Sequence, residues 1–247
     1  MKQWLEISQI GCIQIELTNY CNASCPLCER AQMPNEKINS LHISYSEVKK
    51  WLEKYEWTNL ERVHLCGSVD EPTLNPDILD IVTYLKTLNQ KLYITIATNG
   101  GARNESFWEK LGKLSENGRV RVIFGIDGLE DTNHIYRKGV KWDRLERNFR
   151  SYIANGGFAA WQFILFQHNV HQVQKANEKA RIEGFKDFNT KSSYQRETDS
   201  IKPHYNKKNT SKINKQKKVI CTARPGSNRE VFHPRLGSLF LSYQGYC

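Results

Sequence analysis

The sequence predicts an α/β fold built on one parallel sheet, with helices outside it. Apolar runs of strand type alternate with stretches whose apolar residues recur every three to four positions, and six such steps can be counted. Strands separated by helices pair in parallel through right-handed crossovers, which gives an open, curved sheet. At 247 residues with 39% hydrophobic content, the chain can bury the core of such a domain.

The predicted elements follow one another in a regular order. Strands are predicted at 12–17, 62–66, 92–97, 120–126, 159–166 and 185–188. Amphipathic helices fill the intervals, and the last of them runs from about 171 to 183. In parallel α/β barrels the chemistry lies at the carboxyl ends of the strands, so the residues that follow each strand are the informative ones.

Local start signals support three of these helices. Ser44 and Glu47 have the spacing of a capping box. Asn75 followed by Pro76 predicts a second helix N-terminus, with the proline in the first turn. Asn104 is predicted to cap the third helix.

Three cysteines, Cys21, Cys25 and Cys28, follow the first strand with C-x3-C-x2-C spacing. Thiolates on one short loop can converge on a single centre, and sulfur ligands select an iron–sulfur cluster, zinc or copper(I) over hard cations. A [4Fe–4S] cluster held by three cysteines keeps one iron open for an external molecule. The residues alone also allow a zinc site completed by His42 or His64, or reduced core thiols.

This loop resembles the signature of the radical S-adenosylmethionine (radical SAM) superfamily, which follows the first strand of a partial (β/α)6 TIM-like barrel. The resemblance implies a [4Fe–4S] cluster on Cys21, Cys25 and Cys28, with S-adenosyl-L-methionine (SAM) at the open iron and Leu27 against the adenine. It also implies a one-electron reductant of flavodoxin or ferredoxin type. SAM would be cleaved to a 5′-deoxyadenosyl radical that abstracts hydrogen from an organic substrate.

The segment after strand two is similar to the family's Gly-Gly-Glu-Pro element, which holds the amino group of SAM. The candidates for contact with that group are Gly67, Ser68, Asp70 and Glu71. The family has a glycine where this chain has Asp70, so the group that accepts from the ammonium stays open.

Two further segments resemble the family at the next strand ends. Asn99 stands in a Thr-Asn-Gly turn after strand three and is a candidate SAM contact. Asp127 begins an Asp-Gly…His…Arg segment, completed by His134 and Arg137, and is a candidate for the SAM ribose or the substrate. Gln162 on strand five needs a partner, which is either a ligand or a neighbouring strand. No residue is assigned to the catalytic step itself.

Positive charge is concentrated in one segment, 191–220, where nine Lys or Arg oppose two acids, a net of +7 out of +10 for the chain. Few apolar residues occur there, which predicts a flexible basic segment. A solvated connector is favoured over a docking patch for an acidic peptide or a nucleic acid. The alternative function is a zinc-stabilised, non-enzymatic module that binds nucleic acid through this segment.

The predicted organisation has three parts: the barrel at 1–190, the basic segment at 191–220, and an incomplete extension at 221–247. The extension resembles the twitch or SPASM extension of radical SAM enzymes that modify peptides and proteins. Because Cys221 and Cys247 are its only cysteines, we expect no complete auxiliary cluster. A peptide or protein is the favoured substrate class, while a small molecule or a nucleic acid stays open.

The composition also bears on location. The chain has no stretch of about 20 apolar residues and no secretory-type start, which predicts no membrane partner and a cytoplasmic location. In that compartment its seven cysteines are expected to be ligands or reduced thiols rather than disulfides.

Overall fold

The structure is a computed structural model that describes residues 7–32, 41–66, 69–193, 201, 202 and 204, and the backbone of 220–223. The strands are β1 (Cys12–Ile15), β2 (Arg62–Leu65), β3 (Tyr93–Thr98), β4 (Val120–Gly125), β5 (Phe158–Leu165), β6 (Asp187–Ser192) and β7 (Ile220–Ala223). The helices are α1 (Tyr45–Leu52), α2 (Ile78–Leu88), α3 (Glu105–Leu114), α4 (Asn133–Tyr136), α5 (Trp142–Ala154) and α6 (Val173–Ile182).

The strands form one sheet in the order β6-β5-β4-β3-β2-β1-β7, and every neighbouring pair is parallel. The predicted α/β class and its six barrel strands are confirmed. Because all the strands run the same way, the loops after β1 to β5 meet at one edge of the sheet. That edge carries the cysteines.

An aromatic cluster fixes the helices against one face of the sheet. Phe124 of β4 packs 5.3 Å from Trp108 of α3 and 5.9 Å from Tyr152 of α5, measured between ring centroids. Phe149 and Trp161 extend this cluster to β5. All five side chains are fully buried. Since strand side chains alternate between faces, this packing places the intervening residues of β4 and β5 on the opposite face.

Local capping signals predicted two helix starts correctly. Ser44 and Glu47 form the capping box before α1, with each side chain bonded to the other residue's backbone amide. The Asn104 side chain accepts from the amide of Phe107 and so caps α3. Both signals depend only on residues within one turn, which is why the sequence alone contains them.

The predicted cap at Asn75 is wrong. Helix α2 begins at Ile78, after Asp77, and Asn75 is instead fully buried. Its side-chain amide donates to the carbonyls of Leu17, at 2.7 Å, and Ile43, at 2.8 Å. Its side-chain oxygen accepts from the amide of Asp77 at 2.8 Å, so it bonds ahead of the helix rather than inside its first turn. Asn75 thus satisfies two carbonyls from distant segments, which the local sequence does not show.

The end of the chain departs from the predicted strands. β6 runs from Asp187 to Ser192, whereas the sequence predicted a strand at 185–188. Its side chains are half-buried or exposed and are mostly polar, so no apolar alternation marks the later part of the strand. β7 was not predicted, because four residues after a basic stretch give no periodicity. It pairs with β1, Ile220 opposite Cys12 and Ala223 opposite Ile15, and so covers an edge of the barrel sheet.

Most of the 191–220 segment and of the 221–247 extension lies outside the described residues, so the predictions of a flexible basic segment and of an incomplete extension stay predictions. Among the helices that are described, none has the length and apolar character needed to cross a bilayer.

Candidate functional site

The cysteine loop follows β1 and carries three thiols that take part in no disulfide. Cys25 is buried, while Cys21 and Cys28 are half-buried. The amide of Ala23 donates to the sulfur of Cys21 at 3.4 Å, and the amide of Cys28 donates to the carbonyl of Cys25 at 3.0 Å. The loop therefore closes on itself and holds all three thiols at the carboxyl end of the sheet.

A hydrogen bond of the same length joins the cysteine loop to each of the segments that follow β2, β3 and β4. These three bonds, each 2.9 Å long, run from Glu71 N to Tyr20 O, from Asn99 Nδ2 to Asn22 Oδ1, and from Ser24 N to Lys138 O. The thiols are thus positioned by the segments that follow three consecutive strands, and these segments meet at one edge because the strands are parallel and adjacent.

Burial raises the pKa of two of the three thiols. Burial, together with the nearby charges of Glu71, Cys25 and Cys28, raises the pKa of Cys21 to about 12. Burial also raises the pKa of Cys25, while the guanidinium of Arg137 opposes that shift. Thiols of this kind become thiolates when a metal supplies the positive charge. The donor set, three soft sulfur ligands, suits an iron–sulfur cluster.

In the part of the chain that the structure describes, no three His, Cys, Asp or Glu side chains lie close enough together to hold a single metal ion. A [4Fe–4S] cluster binds each thiolate at a different iron, so its ligands stand farther apart than those of one ion. In the described residues, neither His42 nor His64 forms such a single-ion group with the thiols.

Glu71 is buried, and its carboxylate is occupied by protein donors. Oε1 accepts from the Thr73 hydroxyl at 2.6 Å, from the Thr73 amide at 3.3 Å and from the Thr98 hydroxyl at 2.6 Å. Oε2 accepts from the amide of Asn99 at 2.7 Å. A carboxylate offers about four acceptor positions. Glu71 therefore joins the turn after β2 to the end of β3, and burial raises its pKa while these bonds lower it.

Asn99 is buried and turns its side chain toward the cysteine loop. Its amide nitrogen lies 2.9 Å from Asn22 Oδ1 and 3.7 Å from the sulfur of Cys21. Its side-chain oxygen accepts from the amide of Gly101 at 2.8 Å, which fixes the orientation of the amide group. The predicted SAM contact is thus in direct contact with the cysteine loop.

Asp127 is fully buried, and both of its carboxylate oxygens have protein partners. Oδ1 accepts from the amide of Ile164 at 2.6 Å, and Oδ2 accepts from Arg137 Nε at 2.6 Å. The other end of the Arg137 guanidinium lies 3.9 Å from the sulfur of Cys25. Burial raises the pKa of Asp127 and Arg137 lowers it. His134, the other polar residue of that segment, is exposed.

The family model for the radical SAM superfamily matches residues 15–180, about two thirds of the chain, and spans every site element described so far. The chain belongs to the radical SAM superfamily. Radical SAM enzymes use a [4Fe–4S] cluster and SAM. Membership supports a SAM-dependent enzyme over the nucleic-acid-binding module that the sequence left open.

Curated relatives match about half of this chain. A GTP 3′,8-cyclase of Clostridium perfringens is 25% identical over 123 residues, which are 50% of this chain and 36% of that protein. A probable GTP 3′,8-cyclase of Pyrococcus horikoshii is 31% identical over 119 residues, 48% of this chain and 34% of that protein. The chain therefore spans about a third of the length of these relatives.

Solved structures share the fold over a larger part of the chain. Streptococcus suis SuiB bound to S-adenosylmethionine has a TM-score of 0.63 at 18% identity, over 81% of this chain and 44% of SuiB. The protein anSMEcpe with bound AdoMet has a TM-score of 0.55 at 20% identity, over 72% of this chain and 49% of that one. At such identities the likeness shows the partial-barrel fold of radical SAM proteins.

The remaining predicted contacts are placed as follows. Leu27 is buried in the core beside the cysteines, and Asp70 is half-buried in the turn after β2. Gln162 is half-buried on β5, on the face opposite the aromatic cluster. Gly67 and Ser68 lie outside the described residues. Each of these SAM contacts stays a prediction.

Sequence reasoning missed two residues that shape this radical SAM site. Asn22, inside the cysteine loop, is the acceptor for Asn99, and no residue pattern indicated it. Gly125 ends β4, and an added Cβ there would lie 2.5 Å from Arg137 Nη2. Its position at a predicted strand end was the only signal, because the partner that needs the space comes from a later loop.

Proposed function

We propose that this chain binds a [4Fe–4S] cluster through Cys21, Cys25 and Cys28, binds SAM beside it, and abstracts hydrogen from an organic substrate. The observation that carries the proposal is the attachment of the cysteine loop to the segments that follow three consecutive strands. When bound, the cluster and SAM supply radical chemistry by one-electron reductive cleavage of SAM. The protein supplies placement and the exclusion of water.

The chain's own residues divide into those that hold the loop and those that are left to contact SAM. In Glu71 and in Asp127, both carboxylate oxygens accept hydrogen bonds from protein donors. We therefore assign these two residues to positioning the cysteine loop and the strand ends. Asn99 has the same role, because its amide bonds to the cysteine loop. These side chains hold the strand ends and the loop in register around the thiols.

The SAM contacts are then assigned to the remaining candidates. The turn after β2, with Gly67, Ser68 and Asp70, is proposed for the amino group, and Leu27 for the adenine. Gln162 is proposed to face SAM or the substrate from β5, because its strand position puts it away from the helix-facing core. A flavodoxin or ferredoxin-type protein is proposed as the source of the electron.

A peptide or protein is the proposed substrate class. Its support is the resemblance of the 221–247 segment to extensions found in peptide-modifying radical SAM enzymes. A nucleotide is the second candidate substrate, favoured by the similarity to the two GTP 3′,8-cyclases. That similarity covers 123 residues in one relative and 119 in the other. Formation of 5′-deoxyadenosine that rises with GTP and not with peptides would replace the first class by the second.

The experiment uses the full chain, reconstituted anaerobically with iron and sulfide and reduced with dithionite in the presence of SAM. We expect 5′-deoxyadenosine and methionine, detected by chromatography. Cys25→Ala should abolish both products, while Cys12→Ala, a matched change at a buried cysteine of β1, should retain them. A protein that holds the cluster and binds SAM yet forms no 5′-deoxyadenosine would contradict the proposal.

A further inference from the structure

Arg137 places a buried positive charge beside one of the three thiols. Its Nε donates to Asp127 Oδ2 at 2.6 Å, and its Nη1 lies 3.9 Å from the sulfur of Cys25. The Arg137 side chain is 17% exposed and that of Asp127 is not exposed at all. The guanidinium therefore stands between the carboxylate and the sulfur, with its N–H groups toward both.

The surroundings hold the guanidinium in that place. Asp127, its anchor, is itself fixed by the amide of Ile164. The Tyr136 ring lies 5.4 Å from Arg137 Cζ, at cation–π distance. On the other side of the guanidinium lies Gly125. A Cβ added to Gly125 would stand 2.5 Å from Arg137 Nη2 and 3.1 Å from Arg137 Cζ, too close for either atom to keep its place. The space that Arg137 fills exists because residue 125 is glycine.

We propose that Arg137 is a positioning residue that raises the reduction potential of the cluster through its contact with Cys25. The inference rests on the proposed function, because it requires the cluster on the cysteine loop. Iron–sulfur potentials are set by the net charge, the hydrogen bonds to the sulfurs and the exposure to solvent.

The sign of the effect follows from charge. Reduction adds one electron to the cluster, so a fixed cation nearby stabilises the reduced state more than the oxidised state. An arginine stays protonated at every relevant pH. Asp127 balances part of this charge, but it lies beyond the guanidinium, so the nearer positive group dominates at the sulfur of Cys25. Because the pair is largely buried, salt screens it weakly.

The test is a redox titration of the reconstituted chain without SAM, with the reduced cluster followed by electron paramagnetic resonance. In Arg137→Gln we expect the equilibrium constant for reduction to fall at least tenfold, a shift of ~59 mV to lower potential for one electron. Arg150→Gln is the matched control, because Arg150 is 51% exposed and pairs with Glu183. Its potential should equal that of the wild type.

Gly125→Ala provides a second variant that keeps every charge. The added methyl group forces the guanidinium away, so the potential should again fall, by less than in Arg137→Gln. Iron and sulfide are measured in each sample. A full cluster with an unchanged potential in Arg137→Gln would overturn the proposal. The proposal would also be overturned if Arg137→Gln and Gly125→Ala both lose the cluster while Arg150→Gln keeps it. Arg137 would then only hold the cysteine loop in place. A wild-type chain that takes up no cluster would instead contradict the proposed function.

Discussion

The side-chain amide of Asn99 donates a 2.9 Å hydrogen bond to Asn22 Oδ1, between the first two cysteines of the loop. The bond joins the end of β3 to the segment that carries the thiols, across 77 positions of sequence. Asn99 is buried, at 4% exposed, and Asn22 is half-buried. A polar group in such a place loses more when its partner is removed than an exposed group would.

Asn99→Ala should therefore loosen the cysteine loop. Removing one partner of a buried hydrogen bond costs about 1–3 kcal/mol. We expect the reconstituted cluster to be lost to an iron chelator roughly three- to tenfold faster than in the wild type, as followed by the visible absorbance. Asn104→Ala is the control, because it removes the cap of α3, worth about 1 kcal/mol, away from the thiols. Equal rates of cluster loss in the two variants would contradict the role of Asn99.

Replacement of each cysteine of the loop tests the ligand assignment. Cys21→Ala, Cys25→Ala and Cys28→Ala should each lose the iron–sulfur absorbance after anaerobic reconstitution, because only three protein ligands are available. Cys66→Ala should keep it. The wild type should contain about four irons per chain, as one [4Fe–4S] cluster requires. Two of the three variants with a full spectrum would refute the assignment, and about eight irons would refute the prediction of no auxiliary cluster.

Glu71→Gln should destabilise the fold rather than only weaken SAM binding. In the wild type, protein donors bond to both carboxylate oxygens of Glu71. A glutamine has only one side-chain oxygen, so its NH2 group would face the donors that lose their acceptor. We expect a loss of about 2 kcal/mol, which for a domain of this size lowers the melting temperature by about 4–8 °C. The measurement is thermal unfolding of the protein without cluster.

The control for Glu71 is Glu109→Gln, which removes an exposed pair with Lys113 on α3. Its melting temperature should stay close to that of the wild type, because an exposed ion pair contributes little to stability. If the melting temperature of Glu71→Gln equals that of this control while its affinity for SAM falls, Glu71 contacts the ligand. The proposal that its four hydrogen bonds stabilise the strand ends would then be wrong.

The stability of the α5–α6 contact should depend on pH through Glu183. Its carboxylate accepts two bonds of 2.7 Å from Arg150, and Lys179 Nζ lies 3.1 Å away. The hydrogen bonds from Arg150 hold the pKa of Glu183 below its usual value. A lowered folded pKa adds stability above the unfolded value, about 4.3, and that stability is lost as the pH falls through the folded pKa.

Glu183→Gln should thus be less stable than the wild type by about 1 kcal/mol at pH 7, with a smaller difference near pH 3. Melting curves of the protein without cluster at the two pH values measure both differences. Glu178→Gln on the same helix is the control and should change stability by less than about 0.5 kcal/mol at either pH. A difference for Glu183→Gln that stays constant with pH would exclude the linkage.

Much of the fold was predictable because its signals are local. The six barrel strands, the capping box at Ser44 and the cap at Asn104 each depend on residues within a few positions, and all are confirmed. Asn75 shows where that logic fails. Its sequence context predicts a helix cap, yet the backbone carbonyls of Leu17 and Ile43, 58 and 32 positions away, bind its side chain.

By itself the sequence determined the parallel α/β class, the position of the thiols after the first strand and the superfamily. Each follows from periodicity or from spacing within one loop. Only the tertiary structure decided that the carboxylate oxygens of Glu71 and Asp127 accept hydrogen bonds from protein donors. It also decided that β7 pairs with β1 and that Arg137 lies beside Cys25. Arg137 and Cys25 are 112 positions apart, and no local pattern encodes such a contact. Folding brings the strand ends to one edge of the sheet, and packing there selects which polar groups meet.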